Sequence, residues 1–181
     1  GNIVNSHLLR RELQARGAIF QGTNDTEILL HLVANNPSNN LIECLKMELP
    51  KLEGAYSMVM MSHDMMVGMR DPHGFRPLVL GKLKYETGTS WVLASETCAF
   101  DLIGAEYVRE IEPGEIFWCD EKGAYSARFA ETPVIRPCVF EYVYFARPDS
   151  QVFGNSVYSV RKELGRQLAR ENPVDADVVI P

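Results

Sequence analysis

The sequence predicts an α+β fold, and three observations carry the prediction. Apolar residues recur at helical spacing through most of the first fifty positions. From Gly54 onward, short runs such as "AYSMVMMS", "PLVLGK", "SWVLASE" and "GEIFWCD" are bounded by turn residues, as antiparallel strands are. Helices therefore come mainly from the start of the chain and the sheet system from its middle.

The elements follow in order. Asn5 or Ser6 can cap a first helix carrying Leu8, Leu9 and Leu13, and Gly17 is placed to end it. In "GTNDTEILLHLV", residues 22–33, Asn24 and Glu27 have the spacing of a capping box. Ile28, Leu29, Leu32 and Val33 then mark one buried helix face. After the loop "NNPSNN", residues Leu41, Ile42, Leu45 and Leu49 predict a third helix, which Pro50 ends or kinks. "AYSMVMMS" and "MMVGMR" read as a strand pair around "HD", and "DPHG" (71–74) as a turn. "EYVREI" and "GAYSARF" add strands, with "TCAFDLIG" (97–104) a short helix among them. "CVFEYVYFA" (138–146) reads as a further strand, which "RPDS" breaks. Residues 155–172 predict an amphipathic helix with Val157, Val160, Leu164 and Leu168 on one face, and "DVVIP" (177–181) the start of an apolar strand.

Bulk properties narrow the function classes. The chain has 181 residues, 46% of them hydrophobic and 23% charged, which suits one globular domain or one domain with a piece of another. A net charge of -6 argues against nucleic acid or an anionic membrane surface as the main partner. No apolar run is long enough to span a bilayer, and the start has no signal-peptide pattern. Cys44, Cys98, Cys119 and Cys138 form no CxxC pair, so free thiols in a reducing, cytoplasmic setting are expected. The four histidines show no zinc spacing. The first residue is Gly rather than Met, which suggests a processed or partial chain.

Several stretches together resemble one family. "GNIVN", "TNDTE", "EGAYS", "RDPHGFRPLVLG", "ASETCAFD" and "EPGE" are similar to class II glutamine amidotransferases, and "FEYVYFARPDS" with "SVYSVRKELG" narrows the resemblance to amidophosphoribosyltransferases. The resemblance implies a four-layer αββα sandwich of the N-terminal-nucleophile hydrolase type, here incomplete. It implies a glutaminase domain over residues 1–137, then a connection and the beginning of a phosphoribosyltransferase α/β domain over 138–181. The implied partners are glutamine, phosphoribosyl pyrophosphate (PRPP), purine nucleotides as feedback ligands, and further copies of the protein in a homo-oligomer. Mg2+ is implied for the phosphoribosyltransferase half. The family's nucleophile is a cysteine at the mature N-terminus. Residue 1 here is Gly, so an internal piece is implied, and residues 1–181 alone are expected to catalyse nothing.

The resemblance also assigns site residues, each with a plainer alternative. Gly1 falls on the glycine of an Asn-Gly oxyanion element, where a missing Cβ lets the backbone N–H approach the oxyanion. The alternative is a remnant at an artificial terminus. Asp25 falls on the aspartate that receives the substrate's α-amino group, a charge-assisted bond. Its alternative is an acid placed at a helix start for the dipole. Cys138 falls on a ligand of the 4Fe–4S cluster that some members carry; its alternative is a structural thiol. Arg70, Asp71, Gly74 and Arg76 read as a structural turn with a paired arginine, and Ser95 with Glu96 as a fastening of a strand end to the next helix. Phe140, Tyr142, Tyr144 and Phe145 could wall a water-excluding path for ammonia, or simply pack an interdomain strand. Two other readings remain: the glutaminase half of a sugar aminotransferase, and a nucleophile-free binding or assembly module.

Overall fold

The computed structural model describes residues 2–86, 88–131 and 134–180. The expected role of Gly1 therefore lies outside the described residues. The chain opens with β1 (Asn2–Ile3), α1 (Ser6–Ala15), α2 (Glu27–Ala34) and α3 (Leu41–Glu48), the last running into a single 3₁₀ turn at Leu49–Lys51. Strands β2 (Gly54–Ala55), β3 (Ser57–Met61), β4 (Met66–Arg70), β5 (Val79–Tyr85) and β6 (Gly88–Ala94) follow. Then come α4 (Cys98–Ile103), β7 (Glu106–Glu110), β8 (Glu115–Asp120) and β9 (Gly123–Arg128). A π-helical turn at Glu141–Phe145, the small hairpin β10 (Gln151–Val152) and β11 (Asn155–Ser156), and α5 (Val157–Glu171) complete the described elements.

Local chemistry explains most boundaries. Asn40 caps α3, its Oδ1 accepting the amides of Ile42 at 2.9 Å and Glu43 at 3.2 Å. Gly17 follows α1 with φ +93°, and Gly104 ends α4 with φ +68°, a left-handed conformation glycine adopts without strain. The capping box expected at Asn24 and Glu27 does not form. Asn24 Oδ1 instead accepts from the Thr26 amide and hydroxyl at 3.1 and 2.8 Å, and the helix starts later, after Thr26.

Two antiparallel sheets lie face to face, in strand orders β3-β4-β8-β9 and β6-β5-β7. Alternation along each strand separates their faces. Val67, Met69 and Ile116 are buried in one core with Leu13, Ile28, Leu29, Leu45 and Leu49 of the helices. On the opposite face of β8, Phe117 joins Leu78, Leu80 and Ile111 in a second core with Trp91 and Leu93. The sheets approach closely at Gly68, where a Cβ would stand 2.6 Å from Leu93 Cδ1. Beyond the second sheet, Phe100 of α4 is 1% exposed and covers Gly81, where a Cβ would lie 2.9 Å from its ring. Burying that ring stabilises the outer layer by about 1.5–3 kcal/mol. The layers are therefore helices, sheet, sheet, helix, the αββα arrangement.

The last quarter differs from expectation in three places. Residues 141–145 form a helical turn, not a strand; Ala146 N donates to Glu141 O at 3.0 Å. The physical reason is capture of the backbone acceptors: Arg161 takes the carbonyls of Tyr142 and Ala146, at 2.5 and 2.7 Å, and leaves no ladder to form. The α5 helix forms, but Leu164 and Leu168 are 50% and 61% exposed, and only Val157 is buried. The apolar residues Val178, Val179 and Ile180 pair with no described strand and are exposed, since a strand exists by its partner's hydrogen bonds.

Candidate functional site

The stretch around Asp25 is a built loop. Arg10 of α1 donates to the carbonyls of Gly22 at 2.8 Å and Asn24 at 3.2 Å, and its guanidinium lies 4.1 Å from the Phe20 ring centroid. Phe20 in turn packs on His31 of α2, with ring centroids 4.2 Å apart. From the helix side, Glu27 accepts the amides of Gln21 at 2.7 Å and Gly22 at 3.1 Å. The Gln21 amide, seconded by the Gly22 amide and the charge of Arg10, holds the Glu27 carboxyl below its ordinary range against the opposing effect of burial. Sequence reasoning passed over Arg10, because nothing in its spacing signals a bond to a loop twelve residues on.

That loop sets Asp25 against β1. Asp25 Oδ2 accepts the Ile3 amide at 2.8 Å, and among the described residues Oδ1 has no hydrogen-bond partner. β1 is itself held firmly. Asn2 and Ile3 pair with Ala55 and Gly54, and the Val4 amide donates to Glu53 O at 2.8 Å. Asn5 does not cap α1; its side chain bonds Lys51 O and the Glu53 amide instead. Ile3 is 1% exposed. Gly54 has φ +123°, and a Cβ there would fall 2.2 Å from Asn2 O, so the pairing requires glycine.

The "RDPHGFR" turn forms a second constellation. Arg70 is 2% exposed and donates four hydrogen bonds: Nε to Arg76 O, Nη1 to Ile111 O and Glu110, and Nη2 to Gly74 O. Asp71 is buried and accepts the amides of His73 at 2.9 Å, Phe75 at 3.2 Å and Tyr56 at 3.3 Å. Burial pushes its carboxyl upward in spite of those amides. These bonds shape the turn. Arg76 reaches outward to Glu141 at 2.6 Å. Burial also raises the Glu141 carboxyl, with Arg76 opposing the rise and Glu96 adding to it.

Glu96 fastens more than the strand end expected of it. Its Oε2 accepts the Arg147 amide and the Ser150 hydroxyl, both at 2.8 Å, and Thr97 Oγ1 accepts the Gln151 amide at 2.8 Å. Cys138 is half-buried, its amide donating to Phe75 O at 3.0 Å. Among the described residues no three His, Cys, Asp or Glu side chains gather as a metal ion would require. The further ligands that a four-thiolate cluster would need beside Cys138 are not among the described residues.

Comparison with known proteins settles the family. The family model described as "Glutamine amidotransferase domain" matches residues 1–101, more than half of the sequence. The protein belongs to the glutamine amidotransferase domain family. This amidotransferase domain is 44% identical over 179 residues to the amidophosphoribosyltransferase of Bacillus subtilis (strain 168), a match that takes in 99% of the present sequence and 37% of that protein. It is 46% identical over 180 residues to the chloroplastic amidophosphoribosyltransferase 2 of Arabidopsis thaliana, with 99% and 32% covered. Among solved structures, an allosteric regulatory enzyme of purine biosynthesis superposes with a TM-score of 0.90 at 43% identity, over 97% of the present sequence and 37% of that one. The glutamine PRPP amidotransferase of B. subtilis complexed with ADP and GMP gives a TM-score of 0.89 at 43% identity, over 97% and 38%. The present sequence thus spans about a third of the length of the relatives it matches.

Proposed function

We propose that this amidotransferase domain is the glutaminase part of an amidophosphoribosyltransferase. Water cleaves the terminal amide C–N bond of glutamine, giving glutamate and ammonia. The ammonia nitrogen then bonds C1 of PRPP, pyrophosphate leaves with the C–O electron pair, and phosphoribosylamine remains after loss of a proton. The observation that carries the reading is the Asp25 carboxylate. One oxygen is fixed by Ile3, and the other is left to accept a substrate ammonium, a charge-assisted bond that orients a free amino acid. The same bond to Ile3 puts Asp25 beside the β1 strand.

The finer assignments rest on the relatives. Residues 1–137 make up the glutaminase, and 138–181 the connection and the beginning of a phosphoribosyltransferase domain. The small separate core of Ala146, Val152 and Val157 supports that division. Mg2+ belongs to the phosphoribosyltransferase half. Purine nucleotides are feedback ligands, and the working form is a cytoplasmic homo-oligomer. No described helix is long and apolar enough to cross a membrane.

The test is an assay of the full-length protein with PRPP and either nitrogen source. Glutamate release from glutamine, with phosphoribosylamine formed from both glutamine and ammonia, is the expected result. Glutamate release with a sugar phosphate as the only effective acceptor would favour a sugar aminotransferase. No glutamate release at all would leave a binding module.

A further inference from the structure

The segment after Cys138 is seated on the glutaminase fold almost without apolar anchors. Val139, Phe140, Val143, Tyr144 and Phe145 are all half or more exposed. What holds the π-helical turn is polar. Glu141, with its side chain 7% exposed, receives Arg76 Nη1 at 2.6 Å across 65 positions of sequence. Arg76 also covers the Phe145 ring, 4.3 Å from its centroid. The other side of the turn is gripped by Arg161 through the carbonyls of Tyr142 and Ala146.

Arg76 is a rigid base for this contact. Its carbonyl accepts Arg70 Nε at 2.8 Å and the Ser57 hydroxyl at 3.1 Å, which ties it to β4 and β3 at once. From there a hydrogen-bonded route leads back towards Asp25. The Asp71 amide donates to Tyr56 O and the Asp71 carboxylate accepts the Tyr56 amide. Tyr56 follows β2, and β2 pairs with β1, whose Ile3 amide Asp25 holds. The Arg76–Glu141 pair is thus one of the points at which the fold carrying the amine site meets the connecting segment, beside the Glu96 bonds to Arg147 and Ser150.

A desolvated ion pair is a poor way to gain stability. Charges lose water to form it, and apolar side chains of similar volume often do as well or better. Its best-attested use is to fix one arrangement among several. π-helical turns, likewise, occur mostly at functional positions. We infer that the Arg76–Glu141 pair is a positioning latch, which sets how residues 138–150 sit on the glutaminase and so couples glutamine hydrolysis to use of the ammonia. The inference rests on the function proposed above. Ammonia released beside a misplaced connection escapes to bulk water and is lost as ammonium, while hydrolysis itself continues.

The experiment measures phosphoribosylamine formed per glutamate released in the full-length protein. Glu141→Leu removes the buried charge and leaves Arg76 partly solvated. Its yield per glutamate should fall about fivefold or more, as expected when reacting groups are misplaced by a fraction of an ångström or more. Synthesis from added ammonia should stay within about twofold of the parent, while thermal stability should fall, because Arg76 keeps a partly buried charge without its partner. Should the Glu141→Leu protein fail to fold, Glu141→Gln keeps the side-chain shape and must still show a lowered yield. Arg76→Lys, which retains the charge, should recover most of the coupling. A yield unchanged in both Glu141 variants, with only the melting temperature altered, would overturn the latch. A parent protein that releases no glutamate would overturn the glutaminase reading, and the latch with it.

Discussion

Asp25 Oδ2 accepts the amide of Ile3 at 2.8 Å, and among the described residues its Oδ1 has no hydrogen-bond partner. In Asp25→Asn the amide oxygen can keep the Ile3 bond, and the fold should survive. What is lost is the charge facing a substrate ammonium, a loss of about 1.5–3 kcal/mol, or roughly tenfold to a hundredfold in glutamine-dependent kcat/KM. Activity with added ammonia should be spared. Steady-state kinetics with both nitrogen sources on one purified variant check this. A glutamine kcat/KM within about twofold of the parent would reduce Asp25 to a helix-starting acid.

Gly54→Ala should be strongly destabilising. The new methyl would meet Asn2 O at 2.2 Å, a backbone atom that cannot rotate away, at a φ that L residues rarely adopt. A loss of about 2–4 kcal/mol is expected, read as a shift in the urea midpoint of the glutaminase.

Gly68→Ala should be milder, although its methyl also starts too close, 2.6 Å from Leu93 Cδ1. Here the obstacle is the end of a flexible side chain. The cost should be about 1 kcal/mol. The Gly68→Ala, Leu93→Val double variant should be less destabilised than the sum of the singles by about 0.5–1 kcal/mol, and strict additivity would contradict the sheet-to-sheet contact.

The pair Arg109–Glu115 should give an acid-dependent share of stability. Burial opposes the Glu115 charge, but the two Arg109 bonds, at 2.6 and 2.8 Å, and the Glu112 amide outweigh it, and the carboxyl titrates below its ordinary range. The unfolded chain therefore binds this proton more readily than the folded one. The stabilisation is present above the ordinary glutamate range near pH 4.5 and is lost as pH falls through the lower folded value. Urea midpoints of parent and Glu115→Gln should differ at neutral pH and converge as acidification passes below the ordinary glutamate range. A gap that persists unchanged at low pH would exclude the ion pair as its cause.

Much of this architecture is written locally. Ile28, Leu29 and Leu32 announce α2 because their helical spacing and their burial coincide. The strands from Ser57 to Arg128 declare themselves through turns such as "DPHG" and "EKG". Misreadings came where a distant partner decided the outcome. "CVFEYVYFA" has strand-like residues, but Arg161 and Arg76 take its acceptors and its acid from 15 to 65 positions away. The capping-box spacing at Asn24 and Glu27 is genuine, yet Glu27 finds better donors in Gln21 and Gly22. The bond of Asp25 to Ile3 across 22 positions and the grip of Arg10 on its loop have no local signal in the sequence.

The ties from Glu96 and Thr97 to residues 147–151 span 51 to 54 positions of sequence and are polar and largely exposed, whereas the β4–β8 ladder, closing over 47 to 53 positions, is backed by the buried Val67, Met69 and Ile116. Closing a long loop costs entropy that must be met before its contacts reward it. Folding should therefore finish the two sheets and their helices first and dock this strap last. Glu96→Gln should then speed unfolding and leave the folding rate nearly unchanged, which stopped-flow measurement of both limbs would show. In a polypeptide emerging from the ribosome, residues 1–130 can reach a settled core while the strap is still being made, and the order of synthesis agrees with the order of assembly.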